Sequence, residues 1–102
     1  MTESVATLTL QDSRLHLGGV VHFDNAEKVC ADGVKLLKQA GKSLVIDMQT
    51  LSSSNSLVVA ILVSWTRIAS SSQQNLHISH MPDKLRAIIS VSGLTAALPE
   101  LP

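Results

Sequence analysis

The feature that most constrains this chain is an apolar segment placed directly behind a polar one. Residues 52–56 read SSSNS, and residues 57–63 read LVVAILV. On a helical wheel these apolar residues cover nearly the whole circumference, whereas a helix packed on one surface needs an apolar stripe only a little over about 100° wide. We therefore predict a central helix that carries more apolar surface than one sheet face can cover.

Three interpretations of this segment remain open at the level of sequence. A neighbouring helix and the tail of the chain could cover the surplus, or the helix could expose an apolar patch on the order of several hundred Å², which usually marks a binding site. A fully buried strand fits the same composition. The polar residues in front favour a helix, because Asn and Ser are preferred N-caps. Capping needs one such residue, so the rest are a surplus, which fits either a solvated loop or a docking loop.

Length and charge exclude several function classes. The chain has 102 residues, a formal net charge of zero and one cysteine. This length predicts a single domain over residues 1–102. No basic cluster appears, which argues against binding nucleic acid and against a polybasic membrane anchor. The longest apolar run is far shorter than the ~20 residues that span a bilayer, and no secretory signal is visible. We expect a cytoplasmic domain.

Hydrophobic periodicity predicts an α/β fold with a small mixed sheet of about four strands and three helices, in the order β-β-α-β-α-β-α. Strict alternation predicts a hairpin, and helical spacing alternates with short apolar runs in the second half, which implies parallel strands. The predicted strands cover residues 4–11, 14–21, 42–48 and 75–79, and the predicted helices cover residues 24–41, 56–73 and 82–92, with Pro82 at the first helical position and Gly93 as the stop.

Local signals add four expectations that the structure can test. Asp24 and Glu27 have the spacing of a capping box, and Gly41 is expected to end the first helix. Gly33 interrupts that helix at a cost of about 1 kcal/mol relative to alanine, which close packing against the sheet would explain. The apolar, proline-containing tail, residues 94–102, is expected to lie on the surface of the body.

The remaining reactive side chains predict no catalytic site and no cofactor. His77 and His80 lie three residues apart, but one strand end places them poorly for shared metal ligation, so we interpret them as surface histidines, like His16 and His22. No nucleophile elbow is present. Asp47 follows a buried strand, where a carboxylate is expected to accept hydrogen bonds from the N–H groups of the next loop.

These residues resemble a known family, the STAS domain. The resemblance consists of a central strand that ends in Asp47, a loop that carries Asn55 and Ser56, and an apolar helix directly after it. The family motif is usually an aspartate, then Ser or Thr, then glycine. Asn55 and Ser56 occupy the first two positions, whereas Leu57 and Val58 stand where kinase-regulated members carry glycine. These bulky residues favour static docking over phosphorylation.

Within that family the pattern is most similar to the small STAS subunits of phospholipid-transport ABC complexes of the Mla type. The similar stretches are residues 55–69, NSLVVAILVSWTRIA, and residues 76–94, LHISHMPDKLRAIISVSGL, with a terminal LP. The resemblance implies a non-enzymatic, cytoplasmic accessory subunit that binds the transporter ATPase. It would lie peripheral to the inner membrane, in a complex that maintains outer-membrane lipid asymmetry.

The expected partner-binding residues lie in the loop and the helix that follows it. They are Ser54, Asn55, Ser56, Leu57, Val59 and Trp65. Trp65 is either an interface anchor, since tryptophan is enriched in hot spots, or a core residue. Two alternatives stay open: an anti-sigma factor antagonist regulated by phosphorylation of Ser56, and a small-molecule-sensing STAS module. Homodimer formation by the isolated domain is also left open.

Overall fold

The computed structural model describes residues 5–101 and contains the predicted order of elements. They are β1 (Ala6–Gln11), β2 (Arg14–Gly19), α1 (Ala26–Gln39), β3 (Ser43–Asp47), α2 (Ser56–Ser71), β4 (Asn75–Ser79), α3 (Asp83–Val91) and a short 3-10 helix (Thr95–Ala97). One sheet runs in the order β1-β2-β3-β4, in which only the β1–β2 pair is antiparallel. The α/β prediction is confirmed, and the apolar segment is a helix.

The helices cover one face of the sheet. Side chains on this inner face are almost completely buried, and they include Leu15, Leu17, Leu44, Ile46, Leu76 and Ile78. The other face carries mainly polar side chains, among them Thr7, Thr9 and His77, and within residues 5–101 no helix packs on it. Alternation along each strand therefore separates a core face from a polar outer face, as the hairpin pattern predicts.

The contact between α1 and α2 is built around Trp65, whose side chain is completely buried. Its indole Nε1–H donates to the carbonyl oxygen of Cys30 at 3.0 Å. Gly33 lies against the same ring, and a Cβ at that position would come within 2.6 Å of Nε1 and closer still to the ring carbons. Gly33 does mark a close approach, but the expectation that it packs against the sheet is wrong, because its neighbour is α2.

Asp47 ties β2, β3 and the end of β4 together on the outer face, where it is 5% exposed. Arg14 Nη1 and the backbone N–H of Gln49 each donate to it at 2.9 Å, and Nδ1 of His80 lies 3.2 Å away. Desolvation acts to raise the pKa of Asp47, but these hydrogen bonds and the nearby positive charges hold it below its ordinary value. The expected bond to the next loop is confirmed.

Two of the predicted surface histidines belong to this cluster. His80, in a left-handed backbone conformation with φ +56°, turns its ring toward Asp47. Nδ1 of His16 lies 3.8 Å from the same carboxylate. Both side chains are about half exposed, so they rest on the carboxylate as a partial cover rather than pointing freely into solvent. His77 is exposed, as predicted.

The tail does not simply lie on the surface, as expected, but extends the sheet at its β4 edge. The backbone of Ile78 donates to the Pro99 carbonyl at 2.9 Å and accepts from the N–H of Leu101 at 2.7 Å. Leu98 is 3% exposed and joins the core. Arg86 Nε on α3 donates to Glu100 at 3.0 Å, which holds this segment in place.

Three helix ends differ from the sequence prediction. The N-cap of α1 is Asn25 rather than Asp24, and its side chain accepts the N–H of His22 instead of capping the helix, so no capping box forms. The helix ends at an extended Ala40, and Gly41 has no positive φ. Pro82 is the N-cap of α3 rather than its first residue. The α3 stop is confirmed, because Gly93 has φ +73°.

Replacing Gly33 by alanine should lower the free energy of unfolding by up to about 2 kcal/mol. The overlap with the indole ring costs about 1–3 kcal/mol, and the better helix propensity of alanine returns about 1 kcal/mol at most. Gly41→Ala is the matched control, because a Cβ there meets no atom within 4 Å. Urea unfolding followed by Trp65 fluorescence measures both. Equal stability of the two variants would contradict the packing account.

Replacing Asp47 by asparagine should lower the free energy of unfolding at pH 7 by about 1–3 kcal/mol, because Arg14 and Gln49 lose a charged acceptor. Since the pKa of Asp47 is lower in the folded state than its ordinary value of 3.8, the carboxylate stabilises the fold above about pH 4. That contribution is lost as the pH falls below this value. Urea titrations should therefore show a full difference from wild type at pH 7 that narrows toward pH 3.

The control for this experiment is Asp32→Asn. Asp32 pairs with Lys28 on the exposed side of α1, where an ion pair contributes little. This variant should change stability much less than Asp47→Asn at pH 7. A difference between Asp47→Asn and wild type that stays constant from pH 7 to pH 3 would show that the Asp47 charge does not support the fold.

Candidate docking surface

The loop between β3 and α2 is bonded to the end of β2 and to the residues that follow it. Leu51 forms a parallel bridge with Gly19, and the N–H of Ser52 donates to the Gly19 carbonyl at 2.7 Å. Ser53 Oγ accepts the N–H of Val21 at 2.9 Å. Gly19 has φ +76°, and a Cβ there would collide with the Val5 carbonyl, so the backbone conformation of Gly19 and its close approach to Val5 require glycine. The serine-rich loop is thus held in one place by its neighbours.

Asn55 completes this connection and starts α2. Its Oδ1 accepts the N–H of Val58 at 3.1 Å, which is the N-cap hydrogen bond that the sequence predicts. Its Nδ2 donates to the Val21 carbonyl at 2.9 Å. Val21 therefore bonds to Ser53 through its N–H and to Asn55 through its carbonyl. Ser53 and Asn55 therefore fix the backbone of the loop, and the other residues of the polar run remain available to contact a partner.

The six residues predicted to bind a partner divide into two groups. Ser56 is exposed, and Ser54, Asn55 and Leu57 are partly exposed, so these four lie together on the surface at the start of α2. The other two are buried: Val59 is 6% exposed and Trp65 is not exposed at all. Of the two interpretations of Trp65, the core interpretation fits this burial. Val59 and Trp65 can affect a partner only through the position of α2.

The apolar surface that α2 exposes is much smaller than the sequence predicts. No large apolar residue of the helix is exposed; Leu57, Val63 and Ile68 are partly buried against the core. The solvent side carries small or polar residues, including Ser56, Ala60 and Arg67. The surplus apolar circumference is absorbed because α1, α3 and the sheet each take a share. The interpretation that neighbouring elements cover the helix therefore fits, although α3 contributes where the tail was expected.

The large exposed apolar side chain near this loop is Phe23, which the sequence analysis left without a role. Phe23 is 87% exposed in the turn between β2 and α1. The turn is rigid, because the N–H of His22 donates to Asn25 Oδ1 at 2.9 Å and Val21 is bonded to the loop. The sequence does contain a signal for an exposed aromatic residue, because Phe23 stands among the turn residues HFDN. We define the docking surface as Phe23 with Ser54, Asn55, Ser56 and Leu57.

The side chains of the docking surface are suited to binding a partner rather than to catalysis. Its residues are an aromatic ring, an aliphatic side chain, two hydroxyls and an amide, none of which is charged. Within residues 5–101 no group of three histidine, cysteine or acidic side chains is arranged to hold a metal ion. No helix in that part of the chain has the length and apolar character needed to cross a membrane.

Solved structures share this fold along nearly the whole chain. A subunit of the Acinetobacter MlaFEDB complex in its ATP-bound Vtrans1 conformation is 28% identical, with a TM-score of 0.80 over 93% of this chain and 100% of that chain. The Bacillus anti-sigma factor antagonist SpoIIAA in its unphosphorylated form is 15% identical, with a TM-score of 0.72 over 96% and 89%. An anti-sigma factor antagonist from Mycobacterium paratuberculosis is 15% identical, with a TM-score of 0.73 over 98% and 86%.

Sequence identity distinguishes the MlaFEDB subunit from the anti-sigma factor antagonists. The anti-sigma factor antagonists share the fold alone at such low identity, whereas the MlaFEDB subunit also shares over a quarter of its aligned residues. No curated protein sequence matches the chain significantly. The family model described as "Mlab, STAS domain" matches residues 5–100. With that match and the β-β-α-β-α-β-α fold around the Asn55–Ser56 loop, the chain belongs to the STAS domain family.

Proposed function

We propose that this protein is a non-enzymatic accessory subunit that binds the ATPase of a phospholipid-transport ABC complex, one that maintains outer-membrane lipid asymmetry. The observation that carries the proposal is the similarity to a subunit of the MlaFEDB complex, which extends over that subunit's full length at 28% identity. In this role the protein would be cytoplasmic and held at the inner membrane through the transporter.

The geometry of the docking surface supports binding to a protein partner. A stable interface takes about 800 Å² from each partner, and its energy concentrates in a few aromatic or large side chains surrounded by polar groups. Phe23 can serve as the aromatic anchor, because its ring is 87% exposed. Ser54, Ser56 and Leu57 can form the surrounding contacts. Hydrogen bonds fix both the loop and the Phe23 turn, so little entropy is lost when a partner binds.

A second candidate is an anti-sigma factor antagonist that is switched by phosphorylation of Ser56. One observation favours it: Ser56 is exposed at the first residue of α2, where the helix dipole would stabilise a phosphate. The first of the two bulky residues at the glycine positions, Leu57, is partly exposed beside it, whereas Val58 is completely buried. Only Leu57 can therefore obstruct a kinase, and the two candidates call for a direct test.

Capture from the native membrane and cytoplasmic fractions should recover an ABC ATPase with the wild-type protein. Phe23→Ala should weaken that binding at least about tenfold, because it removes the aromatic anchor. Its melting temperature should stay close to wild type, since the ring is 87% exposed. Mass spectrometry identifies the captured partner, and titration against the purified ATPase gives the affinity.

The matched control is Val91→Ala, which removes an apolar side chain that is 91% exposed at the end of α3. It should bind the ATPase like wild type. Equal affinity of all three proteins would remove Phe23 from the interface. Capture of no transporter component by the wild-type protein would count against the proposed function itself.

Ser56→Asp should weaken ATPase binding more than about tenfold, because a charge would be buried in the interface without a partner. The fold should be retained, since an acidic residue is favourable in the first turn of a helix. Ser90→Asp, at an exposed position of α3, is the control and should leave affinity unchanged. Unchanged affinity for Ser56→Asp would place Ser56 outside the interface. A phosphate on native Ser56, with capture of a histidine-kinase-like protein, would favour the signalling switch.

A further inference from the structure

The two edges of the sheet are treated differently. The tail covers the β4 edge through two backbone hydrogen bonds, one donated by Ile78 to Pro99 and one accepted by Ile78 from Leu101. The β1 edge has no such cover within residues 5–101. An open edge strand presents unpaired N–H and C=O groups, and proteins usually protect it with charged residues, proline or a bulge. Residues 6–11, ATLTLQ, contain no charge and no proline, and they pair with β2 without a bulge.

The hairpin turn fixes which backbone groups point outward. Asp12 and Ser13 have φ values of +50° and +67°, as in a two-residue type I′ turn, so Gln11 and Arg14 form a hydrogen-bonded pair. Every second residue of an antiparallel strand bonds to the same neighbour. The bond from the N–H of Val20 to the Val5 carbonyl, 3.1 Å, continues that alternation at the other end of β1. The N–H and C=O groups of Ala6, Leu8 and Leu10 therefore face the open edge.

The side chains of the same three residues are incompletely covered. Ala6, Leu8 and Leu10 lie on the inner face of the sheet, where they are partly exposed, whereas Leu15 and Leu17 on β2 are completely buried. A groove of about 370 Å³ runs between β1 and α1, and its apolar lining consists of Val5, Ala6, Leu8 and Val29. A further strand beside β1 would satisfy the backbone groups and cover these side chains together.

We propose that the occupant of this edge is a second copy of the chain, with its own β1 antiparallel and Leu8 opposite Leu8. In this register Ala6 of each copy faces Leu10 of the other, so each of these three pairs exchanges two backbone hydrogen bonds and no outward group of the strand is left over. The two four-stranded sheets become one continuous sheet.

Charge favours a second copy over an unrelated strand. The rim of the groove carries Lys28 and Asp32 on α1, whose charged groups lie 2.8 Å apart. A two-fold axis through Leu8 reverses the order of the two residues in the second copy. Lys28 of one copy then faces Asp32 of the other, so opposite charges meet. The paired strands carry no charge that would repel. The edge is thus complementary to itself in hydrogen bonding, apolar contact and charge.

Sedimentation of the full chain between about 1 μM and 1 mM should show a monomer–dimer equilibrium. Ala6→Pro should raise the dimer dissociation constant about tenfold or more, because it removes one outward N–H from each copy. The bonds to β2 stay intact, since the N–H of Ala6 does not point to that strand, and circular dichroism should show an unchanged fold. A chain that stays monomeric throughout this range would overturn the proposal.

A cross-link tests the register itself. Thr7 of one copy should stand directly opposite Thr9 of the other as a pair without mutual hydrogen bonds, at about 4.5 Å between Cα atoms, which suits a disulfide. The Thr7→Cys/Thr9→Cys double variant should form a covalent dimer on mild oxidation, while Thr9→Cys alone and wild type, which retains Cys30, should not. A dimer that Ala6→Pro does not weaken, or that lacks the cross-link, uses another surface and overturns the proposal. Protection of the edge by the ATPase alone would do the same.

Discussion

The position of α1 relative to α2 depends on one packing contact, between the indole ring of Trp65 and the backbone of Gly33. The ring is completely buried, and its N–H is satisfied by the Cys30 carbonyl, so the largest side chain of the core enters with no unpaired polar group. The turn that carries Phe23 leads into α1, and Ser56 starts α2. The contact between these two helices therefore sets the distance between the two parts of the docking surface, although Trp65 itself is not exposed there.

The polar run in front of α2 combines support with recognition. Ser53 and Asn55 bond to Val21 from both sides, and Asn55 also caps the helix. The loop also comes close to β2 at Gly18, where a Cβ would collide with the Thr50 hydroxyl. Ser54, which is partly exposed, and Ser56, which is exposed, are thereby held in position without making these bonds themselves. A surface organised in this way binds with less loss of conformational freedom than a flexible serine-rich loop would.

The sequence was sufficient for the order of elements, because hydrophobic periodicity and turn residues are local signals. It was not sufficient where several groups compete for one side chain or where the partner is distant in sequence. Asn25 accepts the nearby N–H of His22 instead of capping α1. Gly33 packs against a tryptophan 32 positions away, and the tail bonds to Ile78. Phe23 escaped notice for the same reason. An exposed aromatic residue has no periodic pattern, and its neighbour, the 48–55 loop, is brought close only by the fold.

The one-sided arrangement of the helices accounts for what remains accessible. With α1, α2 and α3 on the inner face, the surplus apolar circumference of α2 is shared among three neighbours and does not become a patch. The polar outer face then needs its own stabilisation, which the buried Asp47 supplies through Arg14, Gln49 and His80. Two borders of the layer keep accessible surface that can bind a partner. At the end of the strands it consists of side chains around Phe23, and at the β1 edge it consists of backbone groups with half-covered leucines. Because one border recognises side-chain shape and the other recognises an extended backbone, a small domain of this design could hold two neighbours without enlarging its core.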